Sequence, residues 1–262
     1  MTDTTPRQKQ FWKPFWALFG LGFLGIAALP LILLPQLQQL IPAERTEFSP
    51  EGLVVLSLIQ PIVLLAIATA VGLKLSPLLN FRSYLAEAST QGRAALKPLL
   101  SEVPLAVGAG VLFASIALVS DRFILPKLGE AGQVLSITSD RTWGVTLGSI
   151  LYGGITEEIL MRWGLLSLLA WLGWRLFRRQ KAIGSGVIWG AILLAALLFG
   201  LGHLPLALAR VPFTSWLLIR TLVLNGLGGV IFGWLYWKRS LESAMIAHAS
   251  THVVFSTIAG LL

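Results

Sequence analysis

Residues 152–162 read Y-G-G-I-T-E-E-I-L-M-R, which sets two adjacent carboxylates, Glu157 and Glu158, and an arginine, Arg162, inside a long apolar run. Ionisable groups at such positions are costly in a bilayer and by default mark a functional site that faces a bundle interior or a wet cavity. The run around them, from Trp143 to about Phe177, would extend roughly 50 Å at 1.5 Å per residue. It either breaks near Gly153-Gly154 or projects from the membrane as one long helix.

Composition supports the membrane reading. The chain has 262 residues, 55% of them hydrophobic, and 12% are charged, about half the roughly 25% of a soluble domain. This excludes an ordinary soluble fold. The net charge of +8 belongs to short loops, so it reads as topology rather than nucleic-acid binding. The chain has no cysteine, which removes disulfides, thiolate metal sites and a cysteine nucleophile. The basic residues Arg7, Lys9 and Lys13 precede an apolar run too long for a signal peptide, so a retained first span is expected.

The expected fold is all-α, a polytopic bundle of about seven spans of about 20 residues each. The spans are placed at 15–35 with a kink at Pro30, 52–73 interrupted at Gln60-Pro61, 104–120, the run from Trp143, 183–203, 215–237 and 241–262. Residues 81–102 read either as a short interfacial helix or as a plain loop, and 121–141 as irregular. Gly186/Gly190 and Gly229/Gly233 have the spacing that lets helices approach closely. The loop charges Lys74, Arg82, Arg93 and Lys97, then Arg175, Arg178, Arg179 and Lys181, then Lys238 and Arg239, outnumber Arg45, Arg122, Lys127, Arg141 and Arg210 on alternate loops. A cytoplasmic N-terminus and a C-terminus on the far side follow. Residues 1–140, about three spans, carry no catalytic motif; residues 141–262, about four spans, form the expected catalytic core.

Glu158 and Arg162 are four residues apart, which suits an intrahelical ion pair, and Glu157 is left over by local spacing. The three histidines, His203, His248 and His252, all lie in or beside apolar spans. His248 and His252 share a helix face. Carboxylate and imidazole together can activate water, and further donors can hold an oxyanion. The same groups, with Glu157, His203 and His248 as candidates, could instead hold a divalent metal such as zinc. No H-E-x-x-H or G-x-S-x-G motif occurs. A non-catalytic scaffold or immunity-type protein, or a proton-coupled transporter, would use the same polar core. No internal repeat favours the transporter.

The motifs E-E-x-x-x-R (Glu157, Glu158, Arg162), F-x-x-x-H (Phe199, His203) and a C-terminal His248 with His252 four residues on resemble the CAAX-protease and bacteriocin-processing family. These intramembrane proteases include the CAAX prenyl endopeptidases and bacterial Abi proteins. The resemblance covers about 151–255. It implies that Glu157 activates water with His203, that His248 helps to hold the oxyanion, and that Glu158 and Arg162 support them. The family usually has asparagine or aspartate where this chain has His252. The implied partners are the lipid bilayer and a membrane-associated protein or peptide substrate.

One tension accompanies this reading. Simple counting of depth puts Glu157 near mid-membrane, His203 near one end of its span and His248 nearer the other.

Overall fold

The computed structural model describes residues 6–40, 49–139, 141–177 and 182–261. Among them there is no strand. Five helical stretches are long and apolar enough to cross a membrane by length and composition: Phe11–Gln38, Pro50–Leu79, Arg93–Leu128, Ser185–Leu208 and Ser215–Lys238. A composite helix beginning at Trp143 and the last helix, Leu241–Ala259, complete the all-α bundle of about seven spans. The loop charges Arg45, Arg178, Arg179 and Lys181 lie outside the described residues.

The first span is α1 (Pro6–Ala28) and α2 (Pro30–Leu40). They are separated at Leu29, next to the expected Pro30 kink. The second is α3 (Pro50–Ser57) and α4 (Ile59–Leu75). Its break falls at Leu58, ahead of Gln60-Pro61, because a proline ring disturbs the turn that precedes it. Residues 81–102 are not a plain loop. They contain α5 (Tyr84–Gln91), capped by Ser83, and a 3₁₀ turn. The third span, α6 (Leu99–Ile124), is longer at both ends than the sequence suggests. The stretch expected to be irregular contains the end of α6, a 3₁₀ turn and α7 (Glu130–Leu135).

The fourth span runs from α8 (Trp143–Leu151) through π-helical turns at Tyr152–Thr156 and Ile159–Leu166 into α9 (Ser167–Leu176). The chain does not break at Gly153-Gly154; its turns widen instead. Then follow α10 (Ser185–Leu208), α11 (Ser215–Lys238) and α12 (Leu241–Ala259).

Side chains at the helix interfaces explain the packing. A Cβ on Gly229 would lie 2.7 Å from the Ala196 Cβ, and one on Gly233 would lie 3.1 Å from Ile192 and 3.3 Å from Leu166. That pair therefore brings α10 and α11 together. Gly186 and Gly190 have nothing within 4 Å of such a Cβ, so the same spacing there serves no interface. Gly110 of α6 lies directly on the Ala247 carbonyl of α12, where no side chain fits.

Two buried polar clusters clamp the bundle at its ends. At the basic end, Glu102 accepts hydrogen bonds from Tyr84 Oη (2.8 Å), Ser240 Oγ (2.7 Å) and Ser243 Oγ. Glu242 accepts from Ser83 Oγ (2.6 Å) and from the backbone N–H groups of Tyr84 (3.0 Å) and Leu85 (2.9 Å). An acid of α12 thus caps α5, satisfying donors that a helix start leaves open. At the opposite end, Arg220 grips Asp121 at 2.6 and 3.0 Å and donates to the Leu135 carbonyl at 2.6 Å.

Candidate active site

The widened turns around Glu157 and Glu158 bring the motif residues inward. Thr156 Oγ1 donates to the Gly22 carbonyl at 2.6 Å, and Gly154 lies against Ala249. The composite helix is thereby wedged between α1 and α12. π-turns within α-helices are uncommon and concentrate at functional sites.

Glu158 is fully buried, with 0% exposure, and Arg162 is 2% exposed. Arg162 Nε lies 3.0 Å from Glu158 Oε2, the i,i+4 pair expected from spacing. The guanidinium is sandwiched between the rings of Phe199 and Phe232, 5.4 and 5.5 Å from their centroids. The other carboxylate oxygen, Oε1, accepts from His248 Nδ1 at 2.8 Å. Arg162 pairs with Glu158, and Glu158 fixes the His248 ring. A carboxylate only accepts, so the His248 hydrogen sits on Nδ1 and Nε2 is left to face outward. Phe232 stacks on that ring at 4.7 Å and locks its plane.

Glu157 points elsewhere. Its Oε1 lies 3.9 Å from His203 Nε2, too far for a direct hydrogen bond. His203 Nδ1 donates to the Phe199 carbonyl at 2.9 Å, which leaves Nε2 as the free ring nitrogen toward Glu157. Two acceptors at that separation suit one bridging water that donates to both.

His252 stacks on His248 with ring centroids 5.0 Å apart. Both of its ring nitrogens are buried without a partner. A Cβ on Gly153 would lie 2.6 Å from His252 Nε2 and 3.5 Å from His248 Nε2. The missing side chain of Gly153 leaves open the point toward which both imidazoles turn a nitrogen. Among the described residues, eight buried side-chain N or O atoms lack a hydrogen-bond partner, and four belong to Glu158, Arg162 and His252. Unsatisfied buried groups are rare in folded proteins. Of the four, Glu158 Oε2 is ion-paired with Arg162, which leaves Arg162 Nη1 and the two His252 nitrogens as the polar atoms here without a partner.

A metal fits this donor set poorly. Among the described residues, no three His, Asp or Glu side chains gather in an arrangement that could hold an ion. His248 Nδ1 is committed to Glu158, and Arg162 holds the other Glu158 oxygen.

The depth tension has a geometric answer. Ser76, Ser167 and Tyr236 form one hydrogen-bonded cluster, with contacts of 2.8–3.0 Å, and so mark a common level. The nine steps from Ser167 to Leu176 carry the composite helix about 13 Å beyond it, whereas α11 ends two residues after Tyr236. The end of α9 therefore projects past the end of α11. Counted from the shared contact of Gly233 with Leu166 and Ile192, Glu157 is nine residues away and His203 eleven. That places the two within about 3 Å in depth.

Sequence reading missed three contributors. Phe232 and the Gly229 carbonyl, 3.5 Å from Arg162 Nη2, complete the arginine cradle. Neither has a signal in sequence. Arg220 does: a lone arginine inside an apolar span predicts a buried acid, here Asp121. Glu102 and Glu242, at helix starts beside serines, resemble ordinary caps and reveal their roles only in three dimensions.

Residues 139–254 match the family described as type II CAAX prenyl endopeptidase Rce1-like. No curated protein and no solved structure matches the chain. Over the segment that carries all six motif residues, the chain is similar to a family of membrane endopeptidases, and the resemblance carried by the three motifs is borne out.

Proposed function

We propose that the protein is an intramembrane endopeptidase that hydrolyses a peptide bond of a membrane-associated protein or peptide. The observation that carries this reading is the 3.9 Å separation of Glu157 Oε1 and His203 Nε2. It is too long for a direct hydrogen bond and suits a water that bridges the two groups from one side. In this reading Glu157 takes a proton from the bridging water as it attacks the scissile carbonyl, and returns that proton to the leaving amine. His203 aligns the water. His248, in its cationic form, and His252 donate to the oxyanion of the tetrahedral intermediate. Glu158 and Arg162 position His248 without touching substrate. Residues 1–140 serve as scaffold and 141–262 as catalytic core, and the basic end of the bundle faces the cytoplasm. No step passes through a metal.

The test uses the full chain reconstituted in vesicles with membrane-anchored peptides in ¹⁸O-labelled water. One ¹⁸O should enter the new carboxylate, and Glu157→Gln should yield no product. A scaffold would cleave nothing. A transporter would move protons or cations across the vesicle wall and leave the peptides whole.

A further inference from the structure

Arg141 is a partly buried cation that no step of the proposed reaction uses. It precedes α8, after the Thr138 turn, and lies partly buried at the end of the bundle opposite the basic loops. Its Nε donates to the Ile137 carbonyl at 2.9 Å, and its guanidinium lies over the Phe255 ring at 5.4 Å. Its Nη1 is buried without a hydrogen-bond partner, and among the described residues no carboxylate forms an ion pair with it. A desolvated guanidinium with an idle donor is expensive unless an anion arrives. Burial draws its pKa down to about 10.

The side chain borders a cavity of about 290 Å³ between α2, the 136–142 turn and α8. Its other polar walls include Ser136, Ser139, Thr142, Ser149 and Arg210. One guanidinium, that of Arg141, and hydroxyls around a small volume are a donor set for one carboxylate. The cavity also lies near the candidate catalytic residues. Ser149 is one turn before Gly153 on the same helix. Phe255, under Arg141, is 6.2 Å from the His252 ring. A Thr146–Ser256 hydrogen bond of 2.8 Å ties α8, one wall of the cavity, to α12, which carries His252.

We infer that Arg141 and this cavity form a recognition subsite for a carboxylate of the substrate. The carboxylate, a Glu or Asp side chain or a chain end, lies within a few residues of the bond presented to Glu157 and the histidines. Summing the guanidinium-to-ring and ring-to-ring steps gives a reach to His252 of about 12 Å at most, and an extended chain spans that in three or four residues. The inference rests on the proposed hydrolytic reading for where the rest of the substrate lies. The anion site itself rests on Arg141 alone.

The probes are lipid-anchored, fluorescent oligo-alanine peptides with an amidated end. Each carries one Glu at a scanned position, with Gln at that position as its control. A third series carries no Glu and a free terminal carboxylate. Binding is measured on full-length protein in nanodiscs in the Glu157→Gln background, so that cleavage plays no part. The expected result is about tenfold tighter binding of one Glu register, or of the free terminus, than of its neutral control. Arg141→Gln should abolish that preference while leaving the neutral peptide unchanged, and Arg141→Lys should keep part of it. Equal binding of acidic and neutral peptides by the parent protein, or equal losses for both in Arg141→Gln, would overturn the subsite. Which series responds distinguishes a side chain from a chain end. Acid preference with no turnover in the wild type would sink hydrolysis and keep the subsite. Turnover without acid preference would do the reverse.

Discussion

His248 Nδ1 donates to Glu158 Oε1 at 2.8 Å, across ninety residues of sequence, while Arg162 holds the other oxygen of the same carboxylate at 3.0 Å. The three side chains form a relay from a caged cation to the ring that faces Gly153. Removing one member leaves a buried charge without compensation. Glu158→Gln and Arg162→Gln should each destabilise the bundle by about 3–5 kcal/mol. The double variant should cost clearly less than the sum, as residues in one network do. Unfolding in mixed micelles measures all three. Strict additivity would show that the pair does not act as a unit.

Glu157 carries no such structural duty. Its nearest ring-nitrogen neighbour, His203 Nε2, is 3.9 Å away, and it is partly exposed, at 16% of its side chain. Glu157→Gln should therefore leave the unfolding midpoint unchanged and lower turnover by about 10²–10⁴, the span of a lost general base. Initial rates with a membrane-anchored peptide decide this. An active Glu157→Gln enzyme would move the base to another residue.

Gly153 separates site geometry from packing. A methyl group there would reach the point faced by both His248 and His252, 2.6 Å from Nε2 of the latter. Gly153→Ala should cut kcat at least about tenfold, since misplacing reacting groups by an ångström is costly, with a smaller change in KM. Gly110→Ala is the contrast. Its methyl meets the Ala247 backbone, so stability should fall first. The comparison is made by kinetics and thermal unfolding on the same preparations.

Asp121→Asn tests the clamp at the far end. The bidentate grip on Arg220 would become neutral, leaving a buried guanidinium with the Leu135 carbonyl. A loss of about 3–5 kcal/mol is expected. Asp121→Asn with Arg220→Met should recover part of it, because apolar replacement of a buried pair is often tolerated.

Much of this was legible in the sequence. Apolar runs of span length gave the number of helices within the described residues, because a bilayer leaves the backbone no alternative to internal hydrogen bonding. Pro30 and Pro61 marked interruptions, because proline disturbs the preceding turn wherever it falls. The Glu158–Arg162 pair followed from the 3.6-residue period, and the same period stacked His248 on His252. The charge of Arg220 was equally visible in the sequence, and only its reading was missed.

Other features were beyond any local rule. The π-turns at 152–166 come from the composite helix being wedged between α1 and α12. Gly229/Gly233 and Gly186/Gly190 share one pattern, yet only the first pair meets another helix. The depth of His248 depends on Glu102 and Glu242 anchoring the start of α12 to the 83–85 backbone. Sequence by itself determined which side chains are too polar to face lipid. Tertiary structure decided which of them meet, because the level of a residue in the bundle is set by contacts with other helices and not by its distance from the end of its own.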